Sequence, residues 1–193
     1  MLKKIIAILF LSFCVHQSSF SQEFMHSLGG TISILFGTLK SPGETSSFSM
    51  AQTNFTYFPR YNFIENENSS ISIGAPVGVG IGLARNTDGN DAGIAFAYDL
   101  PVVIDYNLGF KSTSENEGSF GGYLGAGFGY YHVSVSGSSY SNFNGATYGP
   151  MIRGGVRIGS SKEEGALTIG LFYKKGMEES KLNTLGFNIL YDF

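Results

Sequence analysis

The sequence has 193 residues, enough for one domain, with 27 glycines, 15% aromatic residues and only 14% charged residues. Average domains carry about 25% charged residues and about 7% glycine, so this composition favours short, closely packed strands whose faces do not all meet water. The formal net charge of −3 provides no basic surface of the kind that binds nucleic acid.

Residues 1–21 have the pattern of a secretory signal peptide. A pair of lysines precedes an apolar run from Ile5 to Val15, and Ser19 and Ser21 supply the small residues of a cleavage site. The apolar run, about 11 residues long, is too short to cross a bilayer as a helix. We therefore expect cleavage after Ser21 and export of residues 22–193 as one domain.

Cys14, the only cysteine of the sequence, lies in this segment. A lipoprotein signal needs a small residue before its cysteine, whereas Phe13 stands there. We therefore interpret Cys14 as an apolar residue of the signal. The exported chain then has no cysteine, which excludes disulfide bonds and thiol chemistry from it.

Beyond residue 22 the sequence alternates in character with a period of two residues, which is typical of β-strands. It contains no helical periodicity and no run of about 18 apolar residues that would form a transmembrane helix. We predict eight strands, at about residues 28–38, 50–63, 70–83, 94–110, 120–135, 148–159, 166–174 and 182–193. Seven short connections rich in Gly, Asn, Ser and Asp favour an antiparallel up-and-down meander.

Eight-stranded barrels are of two kinds, which differ in the face that is apolar. A soluble lipocalin-like barrel packs apolar side chains inward, whereas a transmembrane barrel turns them outward and keeps small and polar groups inside. The third strand favours the transmembrane kind, because its apolar row from Ile71 to Leu83 alternates with a row that is mostly glycine. A glycine row suits a cramped lumen better than a surface in water.

Charged residues in the other strands lie on the face away from the apolar row, where they avoid a cost of about 2–4 kcal/mol for a charge facing lipid at the midplane. We therefore expect a lumen charge network of Arg60, Asp99, Asp105, Arg153, Arg157 and Lys174. We interpret the network as structural, since eight strands leave an interior that side chains fill. The alternative is a pore or ligand site that prefers anions, because the four cations exceed the two anions.

Two features of the strand pattern are less regular. The facing of residues 120–135 is ambiguous, because both faces carry aromatic residues and glycines. The prolines at positions 59, 76, 101 and 150 lie within predicted strands, where each removes a hydrogen-bond donor. We expect these prolines to mark bulges or strand ends.

The last predicted strand ends in TLGFNILYDF, residues 184–193, and carries an apolar row that finishes on an aromatic residue: Phe187, Ile189, Tyr191 and Phe193. With the signal peptide, this pattern resembles the small eight-stranded outer-membrane β-barrel proteins of Gram-negative bacteria. The resemblance implies an all-β, eight-stranded, antiparallel up-and-down transmembrane barrel in the outer membrane. It also implies that the barrel-assembly machinery reads this row during insertion, and that the partners are outer-membrane lipid and lipopolysaccharide. The sequence has no Trp, so the aromatic belts would consist of Tyr and Phe.

One pair of residues suggests an enzyme. His132 and Ser134 lie two residues apart on a predicted strand, an arrangement similar to that of some outer-membrane lipid A deacylases. A serine nucleophile needs an imidazole as base and an acid that orients it, and the next acid after this pair is Glu163. We therefore expect no catalytic residues.

The loop NTDGND, residues 86–91, resembles a calcium-binding loop. Aligned on Gly89, however, its first and twelfth positions are Ala84 and Ala95, which offer no side-chain oxygen. We interpret the loop as an ordinary solvated turn and expect neither a metal nor a cofactor.

The sequence therefore predicts a monomeric outer-membrane barrel with a structural or surface-interaction role and no enzymatic activity. An even strand count puts both chain ends on one side, which we expect to be the periplasm. The loops expected outside are those at about 39–49, 84–93, 136–147 and 175–181, and a surface partner would bind at SGSSYSNFNG or KSPGETSS. Two alternatives remain open: a narrow pore for ions or small solutes, and a soluble periplasmic lipocalin-like barrel that binds an apolar ligand.

Overall fold

The computed structural model describes residues 24–41, 44–86, 92–113, 115–136, 143–159, 165–177 and 181–193. The predicted signal peptide, Cys14 and most of the NTDGND loop lie outside the described residues. Within the described part of the chain, no helix is long and apolar enough to cross a membrane.

The described residues form one antiparallel sheet. Its strands are β1 (Phe24–Ser41), β2 (Glu44–Asn66), β3 (Ser69–Gly74), β4 (Val77–Asn86), β5 (Ala92–Gly109), β6 (Phe120–Ser136), β7 (Phe143–Ile158), β8 (Ala166–Lys174) and β9 (Lys181–Asp192). Strand β1 pairs with both β2 and β9, so the sheet closes on itself and leaves no edge along this seam.

Strands β3 and β4 are two halves of one strand, because each pairs with β2 on one side and with β5 on the other. The barrel is therefore a ring of eight strands, each joined to the next in chain order. This arrangement confirms the predicted strand count and the predicted up-and-down topology.

The alternation of side chains along each strand decides which residues enter the barrel. In β2, the phenyl ring of Phe55 is 58% exposed on the outside, whereas its neighbours Asn54 and Thr56 are 4% and 5% exposed in the lumen. The same period places the apolar row of β9 outside and its row of small and polar residues inside. The facing predicted for the third strand, an apolar row outside and glycines inside, is also what the structure has.

We call the two ends of the barrel lower and upper. The lower end carries Phe24, Phe193 and the connection between β5 and β6, and the upper end carries the connections that follow β1, β4, β6 and β8. The loop predicted at 39–49 is wrong in extent, because the ladder between β1 and β2 continues until Ser41 pairs with Glu44. Strand β7 likewise begins at Phe143, inside the loop predicted at 136–147.

Pro76 marks a strand end, as predicted, because Ala75 and Pro76 separate β3 from β4. Pro59 lies in a regular part of the pairing between β1 and β2, opposite His26, and is not a bulge or a strand end. The carbonyl oxygen of Pro59 accepts a hydrogen bond from the Ala75 nitrogen at 3.1 Å. The N–H and C=O of one residue point to the same side of an antiparallel strand, so the Pro59 nitrogen, which carries no hydrogen, also faces the break between β3 and β4. The observed shift in the register of β2 lies further on, between Asn62 and Ile64.

The expectation of bulges or strand ends at Pro101 and Pro150 is wrong, because both pair one to one with β6. On the side of β5 away from β6, Pro101 lies opposite the break between β3 and β4, where the pairing of β5 is interrupted. The carbonyl of Pro150 accepts from the nitrogen of Lys175, which lies just past the end of β8. Each proline therefore sits next to a gap in the ladder, where a missing donor costs little.

Candidate functional site

The outward rows of the strands are mostly apolar and carry no charged residue wherever the structure describes their side chains. Mid-strand positions such as Ile81, Leu124 and Leu171 are 60–71% exposed. Outward Phe and Tyr residues lie towards both ends, for example Phe120 and Tyr130 of β6. These two are ten residues apart on a tilted strand, roughly 25 Å along the barrel axis, which matches the apolar band of outer-membrane barrels.

The lower half of the lumen contains a polar layer centred on Arg60 and Arg157, each only 1% exposed. Asn107 holds the two guanidinium groups together, since its Oδ1 accepts from Nη1 of Arg60 at 3.2 Å and from Nη2 of Arg157 at 2.8 Å. Asp192 lies 3.2 Å from Nε of Arg157 and 3.9 Å from Nη2 of Arg60. Its other contact is the hydroxyl of Thr168, which donates to Oδ2 at 3.0 Å.

Arg153 lies between two aromatic rings in the same half of the lumen. The centre of its guanidinium group is 4.4 Å from the ring centroid of Phe58 and 4.7 Å from that of Tyr123. Its Nε is 3.7 Å from a carboxylate oxygen of Asp105. Stacking on aromatic faces together with an opposite charge stabilises a guanidinium group that is away from water.

The middle of the lumen contains a further ion pair, in which Nζ of Lys174 donates to Oδ1 of Asp99 at 2.5 Å. Beside it, the hydroxyl of Tyr131 donates to Oε1 of Gln52 at 2.5 Å. A cavity of about 20 Å³ borders Asp99 and Arg153. A space of that size holds about one water molecule.

The upper half of the lumen is largely apolar, which the sequence did not predict. Most of its described side chains form a buried apolar cluster of Leu35, Met50, Ala84, Ala95, Ala97, Tyr131, Val133, Val135 and Leu182. The buried polar residues Gln52, Thr147 and Thr184 lie at the same level. The expectation of small and polar groups in the interior is therefore wrong for the large apolar residues of this half, such as Leu35, Met50 and Leu182. Closely packed apolar side chains exclude water from this part of the barrel.

The connection between β5 and β6, which we call the lower loop, is described at residues 110–113 and 115–119. Its buried residues enter the lower mouth of the barrel. Phe110 and Ser112 are fully buried, and Thr113 and Asn116 are nearly so. The main-chain carbonyl of Lys111 accepts from Nη2 of Arg60 at 2.6 Å. The carbonyl of Ser112 accepts from Nδ2 of Asn62 at 2.9 Å and from the hydroxyl of Ser70 at 2.6 Å. The lower loop therefore closes this end with its own backbone.

The structure places all six residues of the expected charge network in the lumen and pairs four of them, Lys174 with Asp99 and Arg153 with Asp105. Arg60 and Arg157 pair instead with Asp192, which the expected network omitted. The alternation of the last strand had already put Asp192 on its inner face, so the signal was present in the sequence. The lower loop was not foreseen, because STSENEG has the composition of an ordinary turn.

The ambiguous strand is β6, and its odd-numbered residues face inward. His132 and Ser134 are therefore on the outside, where the imidazole of His132 stacks on the ring of Tyr98 with centroids 4.7 Å apart. The row of Phe187, Ile189, Tyr191 and Phe193 also faces outward. Among the described residues, no three His, Cys, Asp or Glu side chains come together as a metal site.

A closed antiparallel barrel of eight strands, with an uncharged apolar outside and charges inside, defines the membrane type of β-barrel rather than the lipocalin type. The premise of the soluble alternative, apolar faces that point inward, is contradicted by the exposed apolar rows.

Two solved structures are similar to this chain over most of its length. One is the crystal structure of Ail, the attachment invasion locus protein of Yersinia pestis, with a TM-score of 0.51, 12% identity, and coverage of 89% of this chain and 98% of that chain. The other is the outer membrane protein OprG from Pseudomonas aeruginosa, with a TM-score of 0.50, 8% identity, and coverage of 88% and 95%. The likeness confirms the fold as that of the small outer-membrane barrels. No known protein family matches the sequence, and no curated protein matches it significantly.

Proposed function

We propose that this protein is an integral outer-membrane β-barrel with a closed lumen, and that its role is structural or surface-interactive rather than catalytic. The observation that carries the proposal is the distribution of charge: the described outward rows have none, and seven charged side chains are buried inside, namely Arg60, Asp99, Asp105, Arg153, Arg157, Lys174 and Asp192. Placing this outer surface in water would leave a continuous apolar belt exposed, whereas lipid covers it at no such cost.

The closed lumen is supported at three levels. The lower loop occupies the lower mouth, the ion pairs and aromatic rings occupy the lumen from there to the middle, and the apolar cluster occupies most of the upper half. Since an ion path needs a continuous water-filled space, we favour the structural role over the narrow pore.

We further propose that the lower end faces the periplasm and the upper connections face the outside, as in single-chain barrels with an even number of strands. The partners are then outer-membrane lipid and lipopolysaccharide along the belt. During insertion the barrel-assembly machinery recognises the outward row that finishes at Phe193. We propose a monomer, because ring closure satisfies every strand edge within one chain.

Planar-bilayer recording of residues 22–193, refolded in detergent, tests the closed lumen. We expect no stepwise conductance from the intact protein, and none from the Arg153→Ala and Arg157→Ala variants while they remain folded. Reproducible conductance steps from the intact protein, with a size that changes in either variant, would favour the pore instead. A preparation without protein and one of a heat-denatured sample are the controls.

A further inference from the structure

The lower loop accepts hydrogen bonds from lumen side chains through its main-chain oxygens. The consecutive carbonyl groups of Lys111 and Ser112 accept hydrogen bonds from three lumen side chains, Arg60, Asn62 and Ser70. The loop is also tied to the turn between β2 and β3, because Nδ2 of Asn116 donates to Oδ1 of Asn68 at 2.8 Å. The lumen donors thus converge on two neighbouring oxygen atoms.

The donors belong to a preorganised cationic group. Asn107 fixes Arg60 and Arg157 by accepting from both, and its own Nδ2 donates to the hydroxyls of Ser70 and Ser72. Three guanidinium groups share the lower half of the lumen with two buried carboxylates, those of Asp105 and Asp192. At the rim, Nδ2 of Asn62 also donates to the partly exposed carboxylate of Glu65 at 2.9 Å.

The two carbonyl oxygens of the loop are neutral acceptors in this cationic setting. Hydrogen bonds between a guanidinium group and a charged oxygen are roughly twice as strong as those to a neutral one. A carboxylate or phosphate oxygen in the same place would therefore bind these donors more strongly than a peptide carbonyl does.

The loop backbone is also strained where it touches Arg60. Lys111 has a φ of 55°, and among the described residues it is the only non-glycine residue with positive φ. This left-handed conformation is unfavourable for a residue with a side chain, and such strain persists only where surrounding contacts hold it. Release of the loop removes this strain.

We propose that the lower loop is an internal occupant of an oxyanion-binding site formed by Arg60, Asn62, Ser70 and Arg157. When the loop leaves the mouth, these donors bind a carboxylate or phosphate group that arrives at the lower end. The inference rests on the proposed function only in taking the lower end to be the periplasmic one. The apolar upper half keeps the barrel closed to ions while the site is open, so this is a binding site and not a gate.

The experiment uses residues 22–193, which contain no cysteine. Ser72, which is 1% exposed in the polar layer, is changed to Cys as a reporter of access. We expect a membrane-impermeant thiol reagent to modify the cysteine of Ser72→Cys slowly when the loop is intact. We expect the modification to be at least tenfold faster after deletion of residues 112–117. Equal rates in the two proteins would show that the loop does not close the mouth and would overturn the proposal.

Ligand binding is measured by thermal unfolding of the deletion variant with inorganic phosphate, acetate or chloride. We expect phosphate and acetate to raise the unfolding temperature of the deletion variant by several degrees more than chloride does. We expect a smaller rise in unfolding temperature for the intact protein. We also expect Arg60→Gln in the deletion variant to abolish the difference between these anions and chloride. A phosphate response only would assign the site to phosphate groups, and an acetate response only to carboxylates. No difference from chloride, or one that survives Arg60→Gln, would overturn the proposal.

Gel mobility of unboiled samples separates this proposal from the proposed function, because it reports whether the barrel is folded whatever the loop does. If the deletion variant does not fold, the double variant Asn68→Cys with Asn116→Cys replaces it. A disulfide between these positions locks the loop in the mouth. We expect phosphate at high concentration to raise the unfolding temperature after the disulfide is reduced and not while it is intact. An equal rise in the oxidised and the reduced protein would contradict the proposal.

Discussion

The carboxylate of Asp192 lies 3.2 Å from Nε of Arg157, so β9 is linked to β7 across the intervening β8. The same carboxylate lies 3.9 Å from Nη2 of Arg60 on β2, on the other side of the seam where β1 meets β9. One side chain next to the last residue of the sequence therefore connects both sides of the seam that closes the barrel. The pairing of the last strand and the packing of the lumen depend on each other through this residue.

Replacement of Asp192 by Asn should destabilise the barrel while leaving the outward row of β9 unchanged. Breaking a buried ion pair by removal of one partner typically costs about 3–5 kcal/mol, because the remaining charge is left without compensation. Urea unfolding in lipid vesicles, followed by the fraction of the folded band on a gel, measures the change. Ile189→Val, on the outward face of the same strand, is the control and should shift the midpoint little. Equal midpoints for the two variants would contradict the role of Asp192.

The pair of Lys174 and Asp99 allows a double-mutant test of the middle layer. We expect Asp99→Asn or Lys174→Met alone to lower the free energy of unfolding by about 3–5 kcal/mol, since each leaves one buried charge unpaired. The combination Lys174→Met with Asp99→Asn should recover most of this loss, because a neutral pair of similar volume avoids desolvation of both charges. Losses that simply add in the double variant would show that the two side chains do not interact.

Two glycines test how tightly the lumen is packed. A Cβ atom on Gly170, which faces inward, would collide with the hydroxyl of Tyr123, whereas one on the outward Gly154 would come no closer than 3.3 Å to its nearest neighbour. We expect Gly170→Ala to cost about 1–3 kcal/mol through overpacking. Gly154→Ala should change stability far less. Thermal unfolding of the two variants in the same detergent measures their loss of stability. A larger loss of stability for Gly154→Ala would contradict the assigned facing of β7 and β8.

A charge on the outer face should oppose membrane insertion. Leu171 is 60% exposed in the middle of the outward row of β8, and Leu171→Arg should cost about 2–4 kcal/mol if that row meets the centre of the bilayer. The yield of folded protein in vesicles measures this effect. Asn66→Arg, at the exposed lower turn, is the matched control and should fold normally. Normal folding of Leu171→Arg would show that this face does not meet lipid.

The strand pattern could be read from the sequence because a period of two residues fixes both the existence and the facing of a strand. The alternation predicts the apolar row from Ile71 to Leu83 on the outside and its alternating glycines on the inside, and the structure agrees. The alternation did not determine the facing of β6, because aromatic residues lie on both of its faces. Tyr123 and Tyr131 face inward, and Phe128 and Tyr130 face outward. Residue type alone cannot distinguish a ring that fills a lumen from one that faces lipid.

The lumen was only partly predictable, because its contacts join strands that are distant in sequence. The alternation puts Arg60 and Arg157 inside, but which carboxylate they meet depends on the register of the closed ring. The apolar upper layer, with Leu35 and Val133, was missed because apolar residues had been assigned to the outside. The lower loop was missed because main-chain carbonyls, which every residue has, make its contacts.

The central claim is that the apolar rows form the outside of a closed barrel in the outer membrane. Its most direct test is the gel mobility of residues 22–193, extracted with detergent from the outer-membrane fraction, in boiled and unboiled samples. Any tag should follow Gln22, so that the row finishing at Phe193 is left free. We predict that the protein is in this fraction and that the unboiled band migrates differently from the boiled one. A protein released by osmotic shock without detergent, with the same mobility in both samples, would contradict the claim.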